Sequence, residues 1–140
     1  MRGVGILQTK GDGLKRKELI DSLYHAEVWL YWDCEAKEVK RDFSRRLGEN
    51  DIDFTFDGMM AGVSSLELRN KEGKLNRMIY VMWFSKVNRV DKLYALVHEC
   101  DHLVNRIFLH RGITVTFMDC EEHHAYYLEA WFKRVWRLIG

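Results

Sequence analysis

Tyr94-Ala95-Leu96-Val97-His98-Glu99-Cys100-Asp101-His102-Leu103-Val104 carries His-Glu-x-x-His inside a segment of helical periodicity. Residues four apart share a face of an α-helix, so His98 and His102 can aim their imidazoles at one point. Two neutral imidazoles at that spacing suit a Zn²⁺ ion, and the adjacent Glu99 is placed to act as general base on a water. Leu93, Leu96, Val97, Cys100, Leu103, Val104, Ile107 and Phe108 form one broad apolar stripe of the same helix, roughly opposite the two histidines at about 100° per residue. One face therefore belongs to a core and the other carries chemistry. Cys100 falls near the centre of the stripe and reads as a buried small hydrophobe rather than a ligand.

Outward from this helix, Asn88 or Asp91 is placed to cap its start and Gly112 to stop it. Cys120 to Leu138 is again helical, with Ala125, Leu128, Trp131, Phe132, Val135, Trp136 and Ile139 on one face, and Ile113 to Phe117 between them reads as extended. On the N-terminal side, Val63–Arg69 and Arg77–Phe84 read as strands joined by the polar run Asn70–Asn76, and Met78–Phe84 reads as buried on both faces. Asp51–Asp57 alternates like a half-buried strand, and Gly58–Gly62 reads as a turn. Glu35–Leu47 has helical spacing at Ala36, Val39, Phe43 and Leu47, with Gly48 as its stop. Its charges (Lys37, Lys40, Arg41, Arg45 and Arg46 among Glu35, Glu38 and Asp42) read as a solvated outer face. Ala26–Asp33 reads as a strand, in which Trp29 and Trp32 point to opposite faces, leaving one of them to meet a cleft or partner. Leu14–Tyr24 is assigned a short helix, and residues 1–24, with Gly3, Gly5, Gly11 and Gly13, a flexible or peripheral start. The sum is an α+β chain: a small, mostly antiparallel N-terminal sheet with one early helix, then two long C-terminal helices that pack together.

A chain of 140 residues forms one domain, 1–140, and 47% hydrophobic with 31% charged residues describes a globular protein. A net charge of +1 gives no electrostatic reason to expect nucleic acid as a partner. Three widely spaced cysteines (Cys34, Cys100, Cys120) make no disulfide framework and suit a reducing cytosol. No segment reads as a signal peptide or membrane span, so a cytoplasmic protein is expected.

Catalytic zinc takes three protein ligands, and after His102 the candidates are His110, Asp119, Cys120, Glu121, Glu122, His123 and His124. A third histidine six residues beyond His102 is excluded because Phe108 stands there. His110 lies about 12 Å further along the axis, too far to join the same ion. The first turn of the last helix remains. Glu121 and His124 fall on its apolar stripe, whereas Glu122 falls at the edge, beside Tyr126 and Glu129, which selects Glu122 with Glu121 in reserve.

The run Leu96-Val97-His98-Glu99-Cys100-x-His102, then Gly112-Ile113, then Glu121-Glu122-x-x-Ala125-Tyr126-Tyr127-Leu128, resembles the gluzincin zinc metallopeptidases. In particular it is similar to small metallopeptidases encoded by phages and prophages. The resemblance is specific over about residues 94–130 and architectural before that. It implies a zincin-like single domain with one Zn²⁺ held by His98, His102 and Glu122, and with Glu99 as the catalytic base. It also implies a peptide or protein substrate paired along part of Met78–Phe84, and a location in the host cytoplasm if the chain is phage-encoded. The family's thermolysin-like members carry an aspartate four residues after the glutamate ligand to orient a zinc histidine, whereas Tyr126 stands there in this chain. Asp119, Glu129 or a backbone carbonyl would then take the orienting role, with Tyr126 or His110 as candidate oxyanion donors. Two alternatives stand beside hydrolysis of peptides: a zincin-fold binding or assembly module without turnover, and a metal-dependent hydrolase of a non-peptide bond.

Overall fold

The computed structural model describes residues 7–8, 13–48, 55–56, 60–113 and 121–140. The chain is α+β and forms two compact units, Met1–Val87 and Asn88–Gly140. The first contains β1 (Leu7–Gln8), β2 (Lys15–Ile20), β3 (Glu27–Trp32), α1 (Ala36–Leu47), β4 (Ala61–Arg69) and β5 (Leu75–Phe84); the second contains α2 (Arg89–His110) and α3 (Glu121–Ile139).

In the first unit the five strands form one sheet in the order β1-β2-β3-β5-β4. It is mostly antiparallel, as expected, but β3 and β5 run parallel, with Glu27 opposite Ile79 and Trp32 opposite Phe84. Parallel neighbours need a long crossover, and the chain supplies one through α1 and β4. Both faces of β3 and of the second half of β5 are buried, which accounts for their continuous apolar runs. On one face, Trp29 and Tyr31 of β3 and Ile79, Val81 and Trp83 of β5 share a core with Val39 and Phe43 of α1. The rings of Trp29 and Phe43 lie 4.7 Å apart, and the Trp83 indole N–H donates to the Cys34 carbonyl at 2.8 Å.

Local chemistry explains where α1 begins and ends. Glu35 and Glu38 form a reciprocal capping box, and Gly48 closes the helix in the left-handed region at φ 70°, where a side chain would be strained. Asn70 organises the β4–β5 turn, its side-chain oxygen accepting from Glu72 N at 3.1 Å and Lys74 N at 2.9 Å.

Several expectations are corrected. Leu14–Tyr24 is not a helix: Lys15–Ile20 pairs with β3 as an antiparallel strand. The Asp21 carboxylate clamps the connecting turn, accepting from Tyr24 N at 3.0 Å and Ala26 N at 2.6 Å. Partner-strand pairing has overridden a weak local pattern. Trp29 and Trp32 are both buried, so neither faces a cleft. Strand β5 has neighbours on both sides, so Met78–Phe84 has no free edge for an added substrate strand. The strand expected at Asp51–Asp57 lies outside the described residues except for Thr55 and Phe56, which belong to no element. The turn expected at Gly58–Gly62 is described only from Met60, and β4 already includes Ala61 and Gly62.

Asp42, assigned to a solvated face, is instead buried at 3% exposure. Its carboxylate accepts from the Tyr31 hydroxyl at 2.8 Å, Arg16 at 3.2 Å and Arg45 at 2.5 Å. Arg46 pairs with Glu18 and lies 4.1 Å from the centre of the Trp29 ring. A charge leaves water at low cost only when its lone pairs are filled by such partners. Burial, and then the Asp42 carboxylate, hold the Tyr31 phenol well above its ordinary range.

Two outcomes follow for stability. Asp42→Ala strands the Tyr31 hydroxyl and lowers unfolding free energy by about 2–4 kcal/mol. Tyr31→Phe leaves Asp42 its arginines and costs about 1 kcal/mol. Urea titrations of both variants check the order. Burial, then the charges of Glu38, Asp33, Asp42 and Glu35, push the Cys34 thiol from 9.0 up to about 12. Above pH 9 the unfolded chain loses this proton while the folded chain keeps it, so stability falls as pH rises towards 12. The slope of urea midpoint against pH in that window is shallower in Cys34→Ala.

Candidate metal centre

The second unit is a helical hairpin. Helix α2 starts at Asn88, whose side-chain oxygen accepts from Asp91 N at 2.9 Å. It ends at His110, and Gly112, two residues on, turns the chain in the left-handed region at φ 71°, with Ile113 N returning to the Phe108 carbonyl at 2.9 Å. Beyond it, only Ile113 of the extended piece expected at Ile113–Phe117 is described. Leu96, Cys100, Leu103, Val104, Ile107 and Phe108 are buried along α2, as the stripe requires, whereas Val97 is half-exposed at its margin. Cys100 is fully buried, and desolvation followed by the Glu99 charge pushes its thiol up to about 12. With no exposed surface it packs as a small apolar side chain of the core stripe.

Helix α3 lies against α2 through aromatic contacts. Phe108 stacks on His123 at 5.5 Å and on Tyr127 at 5.6 Å, and meets the edge of His124 at 5.6 Å. Tyr127 in turn meets Trp131 edge-on. At the other end of the hairpin the buried Lys92 ammonium donates to the Ile139 carbonyl at 3.2 Å, placing a cation at the helix C-terminus.

The fixed azimuth of α2 leaves His98 and His102 exposed, with their Nε2 atoms 3.0 Å apart and their rings at 81°. Two nitrogens on one tetrahedral zinc at about 2.0–2.1 Å would stand roughly 3.3 Å apart, so the pair already has the spacing of two ligands. Without metal, two bare lone pairs at 3.0 Å would repel, so one Nε2 carries the proton shared between the rings. Glu99, one position along, is buried at 7% exposure, and its carboxylate is shielded from bulk water.

The remaining candidates are placed as follows. The buried stripe of α3 is Tyr127, Trp131, Val135 and Ile139, rotated from the expected face, so Ala125 is exposed and Leu128 and Trp136 only half-buried. That rotation puts Glu122 on the exposed side of the first turn, and Glu121 is exposed too. Among the described residues, no three His, Cys, Asp or Glu side chains are gathered as a metal site requires. His98 and His102 are together; Glu122 does not stand with them. Tyr126 is exposed, Glu129 pairs with Lys133 at 2.9 Å, and His110 is exposed at the end of α2. Asp119 and Cys120 lie outside the described residues. The sequence reading missed a polar link between the helices: His124 Nε2 donates to Asn105 Oδ1 at 2.9 Å, and Asn105 Nδ2 to Asp101 at 3.3 Å. Its signal was available, since Asp101 and Asn105 stand three residues beyond His98 and His102 and share their face.

No helix among the described residues is long and apolar enough to cross a membrane. Comparison with protein-family models, with curated proteins and with solved structures finds no match.

The Lys92 contact ties the first turn of α2 to the last of α3. Lys92→Met is expected to lower the stability of the protein by about 1.5–3 kcal/mol, the range for a hydrogen bond from a charged donor. Hydrogen exchange checks its location: protection should fall first at the last turn of α3, not around His98.

Proposed function

We propose that this protein is a zinc-dependent metallopeptidase with a zincin-like, gluzincin-type site. The observation that supports the reading is the His98–His102 pair, with two exposed Nε2 atoms 3.0 Å apart on one helix face and Glu99 between them in sequence. In this reading His98 and His102 hold one Zn²⁺, and Glu122 from the first turn of α3 is the third ligand. The described residues fit the ion at two positions; the Glu122 carboxylate has to come round from the exposed side of its turn to fill the third. When bound, zinc supplies a Lewis acid that polarises the scissile carbonyl and acidifies water.

The chain's own groups do the rest. For both Nε2 atoms of His98 and His102 to become ligands, the ring that carries its proton on Nε2 shifts to the Nδ1–H tautomer, which leaves two neutral imidazoles. Glu99 takes the proton of the attacking water on a carboxylate oxygen and returns it to the leaving amine nitrogen. Burial of Glu99 removes competing bulk water from that transfer. The Asp101–Asn105–His124 chain holds the first turn of α3 beside the metal-binding face of α2.

The purified protein is expected to bind close to one zinc per chain, and His98→Ala or His102→Ala to abolish that occupancy. Glu99→Gln should keep the metal and the fold and lose hydrolysis, because an amide cannot take the proton. Glu122→Ala removes a direct ligand and should weaken zinc binding by more than the roughly 100-fold that loss of an outer partner can cost, and much more than Glu121→Ala, whose side chain is turned by roughly 100°. Unchanged metal content in both histidine variants, or normal turnover by Glu99→Gln, would overturn the reading.

A further inference from the structure

Helix α1 carries Lys37, Arg41 and Arg45 at successive i, i+4 positions, one row of its surface. Like charges at that spacing destabilise a helix unless counter-charges offset them. Two of the three have such partners: Lys37 lies 3.6 Å from Glu35, and Arg45 lies 2.5 Å from Asp42. Arg41, the middle cation, is exposed and makes no hydrogen bond or ion pair among the described residues. Together with Leu14, Glu38 and Asp42, the two arginines line a cavity of about 120 Å³. Leu14 is buried and gives the cavity an apolar wall, to which the methylene stems of the arginines add.

The charges around the cavity are not equivalent. Asp42 is 3% exposed, and Tyr31, Arg16 and Arg45 already occupy both its oxygens. A cationic ligand would reach it only by displacing one of them. Glu38 accepts the Glu35 backbone N–H on Oε1 at 3.0 Å. Arg41, by contrast, brings a planar fork of donors that no described residue takes up. Three cations (Arg16, Arg41 and Arg45) stand against two anions (Glu38 and Asp42), so one positive charge is in excess.

We propose that this cavity binds a small organic carboxylate, whose charge pairs with the Arg41 and Arg45 guanidinium groups and whose short apolar chain lies along Leu14. The site is separate from the metal centre: every residue in it belongs to the sheet unit, and it stands or falls independently of His98 and His102. A guanidinium takes a carboxylate through two parallel N–H···O bonds, which gives Arg41 the counter-charge its neighbours in the row already have. A single negative charge matches the excess, whereas a phosphate dianion brings a second one beside Glu38 and Asp42.

The test titrates the full isotope-labelled chain with sodium butyrate, sodium acetate, inorganic phosphate and butylammonium chloride at constant ionic strength, following the amide resonances by NMR. Butyrate should shift the amides around Leu14, Arg41 and Arg45 saturably, and bind about 3–10-fold more tightly than acetate because two more methylenes leave water. Arg41→Gln should weaken butyrate binding at least about 10-fold with an unchanged urea midpoint, since Arg41 holds no contact of the fold. Arg41→Lys keeps the charge and loses the fork, so its affinity should fall between the two. Shifts that never saturate, or equal butyrate affinity in wild type, Arg41→Gln and Arg41→Lys, overturn the site. Equal affinity for acetate and butyrate, or phosphate bound more tightly than either, overturns the ligand class. Saturable binding of butylammonium at the same amides makes the cavity a cation site and overturns the proposal.

Discussion

The periodicity of one helix sets the terms for the whole candidate site. Helix α2 has to bury Leu96, Cys100, Leu103, Val104 and Ile107, and that demand fixes its rotation about its own axis. Once the azimuth is fixed, positions 98 and 102 face outward one turn apart, and their imidazoles meet at 3.0 Å. The same rotation buries Glu99. Each apolar contact along the stripe therefore also positions the histidine pair. A core substitution such as Leu103→Ala therefore acts on the placement of that pair as well as on stability.

The sheet unit shows a different economy of charge. Its core is apolar and aromatic, yet it encloses the Asp42 carboxylate, which Tyr31, Arg16 and Arg45 satisfy together. Partly satisfied, such a network would cost more than an apolar replacement; with its acceptors filled, it ties β2, β3 and α1 in one arrangement. Arg46 extends the arrangement by lying on Trp29 while pairing with Glu18. The hairpin unit has its own fastenings, aromatic stacking around Phe108 at one end and Lys92 on the Ile139 carbonyl at the other.

What was legible in the sequence is what local physics decides. The limits of α1 follow from Glu35, Glu38 and Gly48; the start of α2 follows from Asn88; the doubly buried character of β5 follows from its unbroken apolar run. What depends on distant partners was not legible. The parallel β3–β5 pairing cannot be read from either strand alone, and it removes the free edge that β5 was expected to offer. Lys15–Ile20 becomes a strand because β3 pairs with it, and Asp42 is buried because three side chains distant in sequence or on the next helical turn converge on it. In the candidate site the two histidines were legible because both lie on one helix. The α3 side was harder, since both apolar sides of α3 satisfy a wheel, and the packing of Phe108 chose the one with Tyr127 over the one with Leu128.

The central claim is that the two imidazoles of α2 are metal ligands, and X-ray absorption at the zinc edge of the reconstituted protein addresses it most directly. The account predicts scattering from two imidazole rings, with nitrogen and oxygen donors at about 2.0–2.2 Å and no sulfur shell near about 2.3 Å. A spectrum without imidazole scattering, or one dominated by sulfur, would contradict it.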